Sequence, residues 1–330
     1  MIKMNKSSWL ALIFGTLPLA LSLAPASNAA AARNCDRGCM RKILDQYMNA
    51  VFAHDPSKAP LAKNARATEN AAEVAKGDGA WKTMTGFGSV QRRYFDTTSG
   101  QAVFYGTLME GNEPDIVSLR LKIVDKKVTE AEWTIARKEY GGMFAPNDLA
   151  AMPPPPDTPI LSNQRTSRAD LIAAADAYFD GLKLHDGSKV PHIAGCERIE
   201  NGVKVTNRDR TQAMPPIPGG APATPGGPGA APAGAPPAGA PNMAQEARSG
   251  DCVSGFEGFA KTIADTTHRR YVVDEEAGVV LGATLFHRPP GVTMRRNLLS
   301  EFFWEKQGKI SAIYAAMYYL DPSAPDTPGW

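Results

Sequence analysis

The stretch Tyr-Met-Asn-Ala-Val-Phe-Ala-His-Asp-Pro-Ser-Lys-Ala-Pro at residues 47–60 recurs in altered form at residues 178–191 as Tyr-Phe-Asp-Gly-Leu-Lys-Leu-His-Asp-Gly-Ser-Lys-Val-Pro. The shared Tyr, His-Asp, Ser-Lys and Pro all keep one offset of 131 residues. The same offset places Asp45 on Asp176. A constant register over this many identities predicts an internal duplication.

A second landmark locates an insertion between the copies' matching segments. Arg-Arg-Tyr at residues 92–94 matches Arg-Arg-Tyr at residues 269–271, and the offset there has grown to 177. The additional 46 residues include 213–243, which are almost entirely Ala, Pro and Gly. Such a composition buries too little apolar surface to offset its ordering entropy, so we expect a mobile loop.

Each copy is predicted to begin with a helix and to continue as an antiparallel sheet. Helices are expected at Cys39–Ala53 and Ser167–Leu184, the second with Ser167 as its N-cap. Alternating β-branched and aromatic residues predict four strands in the second copy: His268–Val273, Val279–Phe286, Leu298–Glu305 and Lys309–Tyr319. The predicted fold class is α+β, with two copies of one helix-plus-sheet unit.

The first 32 residues have the pattern of a secretory signal peptide. Lys3 and Lys6 precede an apolar run from Trp9 to Leu23, and small residues follow up to Ala32. The apolar run of about 15 residues is shorter than the roughly 20 that a spanning helix needs. We therefore expect a periplasmic or secreted protein without a membrane anchor after cleavage.

The charge balance and the motifs exclude several partners. Without the two signal lysines the chain has 34 basic and 34 acidic residues and no basic run. Nucleic acid is therefore not an expected partner. The sequence has no nucleotide-binding glycine motif, no nucleophile elbow and no histidine at ligand spacing, so neither a cofactor nor a metal is expected.

Four cysteines, Cys35, Cys39, Cys196 and Cys252, are expected to meet an oxidising compartment, where disulfides form. Three pairings are possible. A bridge between Cys196 and Cys252 is favoured because it closes the inserted loop. A bridge between Cys35 and Cys39 is possible but tight.

The predicted domain organisation follows from these features. It comprises a signal peptide at residues 1–32, a first domain at 33–144, a proline-rich linker at 145–166, a second domain at 167–322 with a disordered insertion at 205–248, and a tail at 323–330. Four consecutive prolines at 153–156 indicate that the linker is an extended spacer.

A long helix followed by curling strands resembles the nuclear-transport-factor-2-like cone of SnoaL-like polyketide cyclases and ketosteroid isomerase. More closely, residues 35–320 resemble an uncharacterised secreted two-copy family common in fungi. The matching stretches are Ala175–Asp180, Val190–Pro191, Cys196–Gly202 and Arg269–Glu275. The first copy departs from that family, because a cysteine expected near Ser89–Gln91 is absent.

This resemblance implies a concave sheet closed by a helix, with a mostly apolar pocket for a small molecule. Enzymes of the superfamily use the pocket for acid–base chemistry without a cofactor, and several members catalyse nothing.

Residues present in only one copy are the better functional candidates, because shared residues are explained by the shared fold. His268 replaces Gln91 and titrates near neutral pH, and strand alternation predicts that it shares a face with Arg270. One face of the last predicted strand consists of Ala312, Tyr314, Ala316 and Tyr318. The small alanines leave room for a ring beside the tyrosine hydroxyl donors. We predict catalytic roles for His268, Arg270, Tyr314 and Tyr318, and ligand contacts for Trp304, Tyr178 and Glu301.

The leading hypothesis is an exported, cofactor-independent enzyme that performs acid–base chemistry on a small, mostly apolar or aromatic organic molecule. Lyase, dehydratase, isomerase, cyclase and epoxide-opening reactions all fit. The alternative is a non-catalytic module that binds a small ligand or a partner protein in the same pocket or between the copies. The tandem arrangement predicts either a monomer with pseudo-dimeric domains or a dimer.

Overall fold

The computed structural model describes residues 35–208, 250–321 and 324. The predicted signal peptide, most of the predicted insertion and most of the predicted tail lie outside the described residues. The described part of the chain consists of two successive helix-plus-sheet units with a connecting segment between them. Its helices include none that is long and apolar enough to span a membrane.

The first unit begins with helix α1 (Arg37–Phe52), whose N-cap Asp36 accepts a hydrogen bond from the amide of Cys39. Six strands follow: β1 (Leu61–Glu69), β2 (Ala72–Glu73), β3 (Met84–Asp96), β4 (Gln101–Glu110), β5 (Glu113–Val124) and β6 (Lys127–Ala136). A short helix α2 (Ala80–Thr83) precedes β3. The sheet order is β2-β1-β6-β5-β4-β3.

The second unit repeats this plan. After helix α3 (Pro146–Ala151) in the connecting segment come α4 (Arg168–Leu184), β7 (His192–Glu200), β8 (Val203–Lys204), β9 (Asp265–Asp274), β10 (Val279–His287), β11 (Arg296–Lys306) and β12 (Lys309–Leu320). The sheet order is β8-β7-β12-β11-β10-β9, the same as in the first unit. The predicted α+β class is confirmed, and the predicted N-cap Ser167 accepts a hydrogen bond from the amide of Asp170.

Both sheets are mixed, which corrects the predicted purely antiparallel meander. β1 pairs with β6 in parallel, and β7 pairs with β12 in parallel. Neither β1 nor β7 has regular alternation of buried and exposed residues, because each carries a register shift in its pairing. The sequence pattern therefore did not mark them as strands.

The three largest apolar cores of the described residues lie against the two sheets. One lies between α1 and its sheet, and a second lies between α4 and its sheet. The opposite faces of the two sheets form the third core, in which Tyr94 and Tyr105 pack against Phe302 at ring distances of 5.8 and 4.5 Å. The two units therefore pack back to back through their sheets.

Reciprocal contacts give this packing an approximate two-fold symmetry. Arg37, at the start of α1, pairs with buried Asp274 at 2.6 Å, and Arg168, at the start of α4, pairs with buried Asp96 at 2.7 Å. Each aspartate also accepts a backbone amide from the other unit: Phe95 donates to Asp274 and Val273 donates to Asp96. Arg37 and Arg168 stand 131 residues apart, which is the offset of the duplication.

Strand register corrects the predicted match of the two Arg-Arg-Tyr motifs. β3 turns into β4 at Asp96, and β9 turns into β10 at Asp274, so equivalent residues stand 178 apart rather than 177. Arg92 is therefore equivalent to Arg270, and Arg93 to Tyr271. Side-chain contacts agree, because Arg93 binds Asp45 as Tyr271 binds Asp176. Turn position and pairing fix register more strongly than local identity does.

The predicted linker is not a free spacer. It begins with α3, and the segment that follows at residues 152–159, here called the strap, lies against both units. Pro154 of the strap is buried. The arginine side chains and backbone groups of β3 supply hydrogen bonds that hold this extended backbone in place.

Two disulfides are formed, between Cys35 and Cys39 and between Cys196 and Cys252. Both are among the pairings that the sequence left open. Disulfides of this kind are typical of proteins in oxidising compartments.

Candidate functional site

A small cavity lies inside the second unit, between α4 and its sheet. Its volume is about 70 Å³. Its walls are mainly apolar, and the polar members are Tyr178, Arg198, Glu200, Thr262, Arg288, Asn297 and Glu301. This lining is typical of small-molecule sites, but the volume is below the roughly 300–1,000 Å³ that such sites usually have.

Three elements bring the polar groups together. Tyr178 lies on the buried face of α4, because its helical spacing matches that of Leu171, Ala174 and Leu182. Glu301 faces the same space from β11, next to Ala315 on β12. Arg198 and Glu200 come from β7, where they stand two residues apart, so that both side chains lie on the face of the strand that lines the cavity.

Arg198 connects the polar groups of the cavity. Its guanidinium donates to the hydroxyl of Tyr178 at 3.1 Å and lies 3.0 Å from the carboxylate of Glu200. The same guanidinium lies 5.3 Å from the ring centre of Phe259. Burial lowers the pKa of Arg198, but Tyr178 and Glu200 outweigh that effect and raise it overall, so Arg198 keeps its charge.

Glu301 is the unusual group of this cavity. Only 1% of the residue is exposed, and its Oε2 atom has no hydrogen-bond partner. Burial and the neighbouring Glu200 carboxylate raise the pKa of Glu301 to about 8, against the opposing effects of Arg198 and Tyr178. At neutral pH this carboxyl group is therefore mostly protonated.

The equivalent place in the first unit is filled by apolar side chains. Counting from the β5–β6 and β11–β12 hairpins, Glu301 corresponds to Leu119 and Ala315 corresponds to Trp133. Leu119 and Trp133 pair on one rung of the sheet, and the Trp133 ring lies 6.3 Å from the ring of Tyr47. The large indole occupies the space that the small Ala315 leaves open.

Two of the residues predicted to contact a ligand, Tyr178 and Glu301, lie together in this cavity. The predicted catalytic residues do not. His268 is exposed at a β-bulge with φ of 56°, and the bulge breaks the alternation that was expected to align it with Arg270. Its Nδ1 contacts the hydroxyl of Thr267 at 2.8 Å. Arg270 lines a different cavity, between the two units.

The tyrosines of β12 face the first unit instead of the space between α4 and its sheet. Tyr314 packs against Trp304 at 5.3 Å in the core between the sheets, and its hydroxyl donates to the carbonyl of Met152 at 3.3 Å. Tyr318 is half-buried at the rim, 5.1 Å from the ring of Tyr140. The sequence showed that the two faces of this strand differ, but not which face turns toward the partner unit.

Sequence reasoning missed Arg198, Arg288 and Asn297. Arg198 lies on a strand that the pattern did not reveal. Arg288 follows β10 and donates to the carbonyls of Thr262 and Arg295, and burial lowers its pKa to about 10. The signal that pointed to Arg198 was its place within the matching stretch Cys196–Gly202.

Comparisons with known proteins add a family match for the second unit. Residues 164–317 match the model of a domain of unknown function, DUF8021. A search of curated proteins finds no match. A solved structure with partial similarity is the crystal structure of a protein from Sphaerobacter thermophilus. The two sequences are 11% identical, and the match covers 29% of this chain and 94% of the other, with a TM-score of 0.25.

Proposed function

We propose that the second unit is a nuclear-transport-factor-2-like cone that performs cofactor-independent acid–base chemistry on a small organic molecule. Glu301 is the proton donor and acceptor of this proposal. The observation that carries it is the buried carboxyl group of Glu301, whose Oε2 has no hydrogen-bond partner in a cavity that also contains a charged arginine. We further propose that the protein works outside the cytoplasm, which its two disulfides support.

The raised pKa of Glu301 suits proton transfer at neutral pH. A general acid or base is most effective when its pKa lies near the working pH. The protonated carboxyl gives its proton to a substrate oxygen or carbon and becomes a carboxylate. It recovers a proton from a second position of the same substrate, so that the net reaction is an isomerisation, or an elimination if a hydroxyl leaves as water.

Tyr178 and Arg198 stabilise the charge that this reaction leaves on the protein. Arg198 attracts the carboxylate that Glu301 becomes. The Tyr178 hydroxyl accepts from Arg198 and forms a hydrogen bond with Glu301, so it also favours the ionised carboxylate. The two side chains therefore stabilise the negative charge that proton transfer creates on Glu301.

The walls of the cavity define the substrate class. Met143, Met294 and Met317 contribute flexible apolar side chains, which can adapt to a ligand. A volume of about 70 Å³ fits a substrate of few non-hydrogen atoms unless these methionines move. We therefore propose a small, mostly apolar molecule that carries one oxygen function.

A non-catalytic binding module is the second candidate. The observation that favours it is a larger cavity, of about 480 Å³, which lies between the two units and lacks Glu301 and Tyr178. A protein whose main site is that cavity needs no proton transfer in the cone.

The test begins with native mass spectrometry of the full-length protein, before and after denaturation. A small molecule released from the wild type identifies the ligand for a turnover assay. We expect Glu301→Gln to bind that molecule and lose turnover by at least 100-fold, and Tyr178→Phe to lose about 10-fold. Glu73→Gln, at an exposed carboxylate of β2 outside both cavities, is the matched control. Unchanged turnover by Glu301→Gln contradicts the proposal.

A further inference from the structure

The cavity between the two units is an open cleft with walls from both copies. β4, β5 and β6 of the first unit form one wall, and α4, β9, β10 and β11 of the second form the other. The charged and polar lining of the cleft includes Arg120, Lys122, Glu132, Arg168, Arg270 and Tyr271. Its volume of about 480 Å³ falls in the range of natural ligand sites.

The approximate two-fold symmetry gives this cleft a counterpart on the other side of the molecule. Arg270 of the cleft corresponds to Arg92, and Arg168 corresponds to Arg37. The opposite wall corresponds in the same way, because the β5–β6 and β11–β12 hairpins have the same register. The counterpart is therefore the groove between β3 and the outer face of β11 and β12.

The strap occupies that counterpart groove. The Arg92 side chain donates to the carbonyls of Pro154 and Pro155, at 2.6 and 2.8 Å. The amide of Arg93 donates to the Asp157 carboxylate at 2.9 Å, and Arg37 donates to the Asp157 carbonyl at 3.2 Å. The groove thus holds an extended peptide by its main-chain carbonyls and by one carboxylate.

Two of the donors that hold the strap have equivalents in the open cleft, whereas Arg41, which lies 3.8 Å from the Asp157 carboxylate, corresponds to Ile172. Arg270 takes the place of Arg92. Tyr271 takes the place of Arg93. The amide of Val273, two residues further along β9, donates to Asp96 of the first unit, and the Tyr271 amide points to the same edge of the strand. The open cleft therefore has the same two donor groups in equivalent places, and its Arg270 interacts electrostatically with Glu132 and Glu130 of the facing wall.

The wall that faces these donors is charged in the cleft, whereas the equivalent wall of the strap groove is aromatic. Trp304 and Phe302 of the strap groove correspond to Lys122 and Arg120 of the cleft. Tyr314 corresponds to Glu132, whose carboxylate accepts from Arg120 at 3.0 Å. Aromatic walls suit proline rings, whereas this wall suits charged side chains. Five of the residues that line the cleft are basic and two are acidic, but Arg168 and Arg269 are paired with Asp96, Asp176 and Asp180. The preference for an acidic segment therefore follows from the place of the Tyr271 amide and from Lys122, and not from a surplus of positive charge.

We propose that the open cleft binds an extended, acidic segment of another polypeptide, in the orientation that the strap has in the counterpart groove. A main-chain carbonyl of the segment accepts from Arg270. A carboxylate of the segment accepts from the amide of Tyr271 and lies near Lys122. This role goes beyond the proposed acid–base chemistry and does not depend on Glu301.

The test uses a fluorescent peptide in an anisotropy titration with the full chain. The probe is acetyl-Pro-Pro-Pro-Glu-Asp-Thr-amide, which is residues 153–158 of the strap with glutamate in place of Pro156. Its twin with glutamine and asparagine in place of the two acids reports the charge requirement. We expect saturable binding of the acidic probe and at least 10-fold weaker binding of the twin, because charge-assisted hydrogen bonds are about twice as strong as neutral ones.

Three variants locate the bound peptide. Arg270→Gln and Lys122→Gln are each expected to weaken binding of the acidic probe by at least 10-fold. Lys63→Gln, an exposed cation of β1 outside the cleft, and Glu301→Gln are expected to leave it unchanged. Absence of saturable binding overturns the proposal, and so does an Arg270→Gln variant that binds as tightly as Lys63→Gln. Succinate that binds as tightly as the peptide also overturns it, because the site then takes a small anion.

Discussion

The interiors of the two units differ far more than their folds do. In the first unit Leu119 and Trp133 close one rung of the sheet with apolar side chains under α1. In the second unit Glu301 and Ala315 occupy the same rung, and a small cavity lies beside them under α4. One unit has a solid core, and the other has a buried acid beside a small cavity. The shared features therefore belong to the fold, and the differing ones indicate the function.

The largest expected effect comes from opening the solid core. Trp133→Ala removes the indole that fills the first unit and leaves a cavity, so we expect it to cost about 3–5 kcal/mol in the free energy of unfolding. Chemical denaturation measures this loss. The reciprocal change, Ala315→Trp, is expected to cost about 1–3 kcal/mol and to abolish ligand binding in the second unit. A loss below 1 kcal/mol for Trp133→Ala contradicts the described packing.

The two disulfides contribute unequally to the two units. The Cys196–Cys252 bridge spans 56 residues and the Cys35–Cys39 bridge spans 4. In the chain-entropy model the first stabilises by about 4 kcal/mol and the second by about 2 kcal/mol. We expect the double serine variant of the longer bridge to unfold at lower denaturant than that of the shorter one. The opposite order would falsify the assignment of the larger contribution to the second unit.

Glu301 makes the stability of the second unit depend on pH. Its pKa is about 8 in the folded protein, against an ordinary value of 4.5, so folding binds a proton between these limits. This stabilisation is complete below pH 4.5 and is lost as the pH rises through 8. Between pH 5 and pH 8.5 the wild type is expected to lose about 2–4 kcal/mol more of its free energy of unfolding than Glu301→Gln does. Glu73→Gln, at an exposed carboxylate, serves as the control, and parallel pH profiles for all three proteins exclude the effect.

Far less of the site than of the fold could be predicted from the sequence. The helix at Ser167–Leu184 and the four C-terminal strands follow from periodicity and turn residues, and the structure places them within three residues of their expected ends. His268 and Tyr314 were misplaced for two physical reasons. A β-bulge breaks alternation at His268, and both faces of β12 are apolar, so pattern alone does not tell which one meets the other unit.

The smallest expected effects concern what the two units share. Asp96 and Asp274 make equivalent contacts across the symmetric interface, so Asp96→Ala and Asp274→Ala are expected to cost similar amounts, about 2–3 kcal/mol each. Thermal and denaturant unfolding measure both. Costs that differ by more than about 2 kcal/mol contradict the equivalence of the two interface halves.

The most direct test of the central difference is an NMR titration of the protein labelled with carbon-13 at the glutamate side-chain carboxyl carbon. Burial also raises the pKa of Glu132 to about 7 and of Glu305 to about 8, so a spectrum of Glu301→Gln is needed to assign the signal. We expect one carboxyl carbon signal that titrates near pH 8 to be missing from the spectrum of Glu301→Gln and to remain in that of Leu119→Ala. If every signal that titrates near pH 8 remains in Glu301→Gln, the second unit does not hold a neutral Glu301 at neutral pH, and the account of its cavity is wrong.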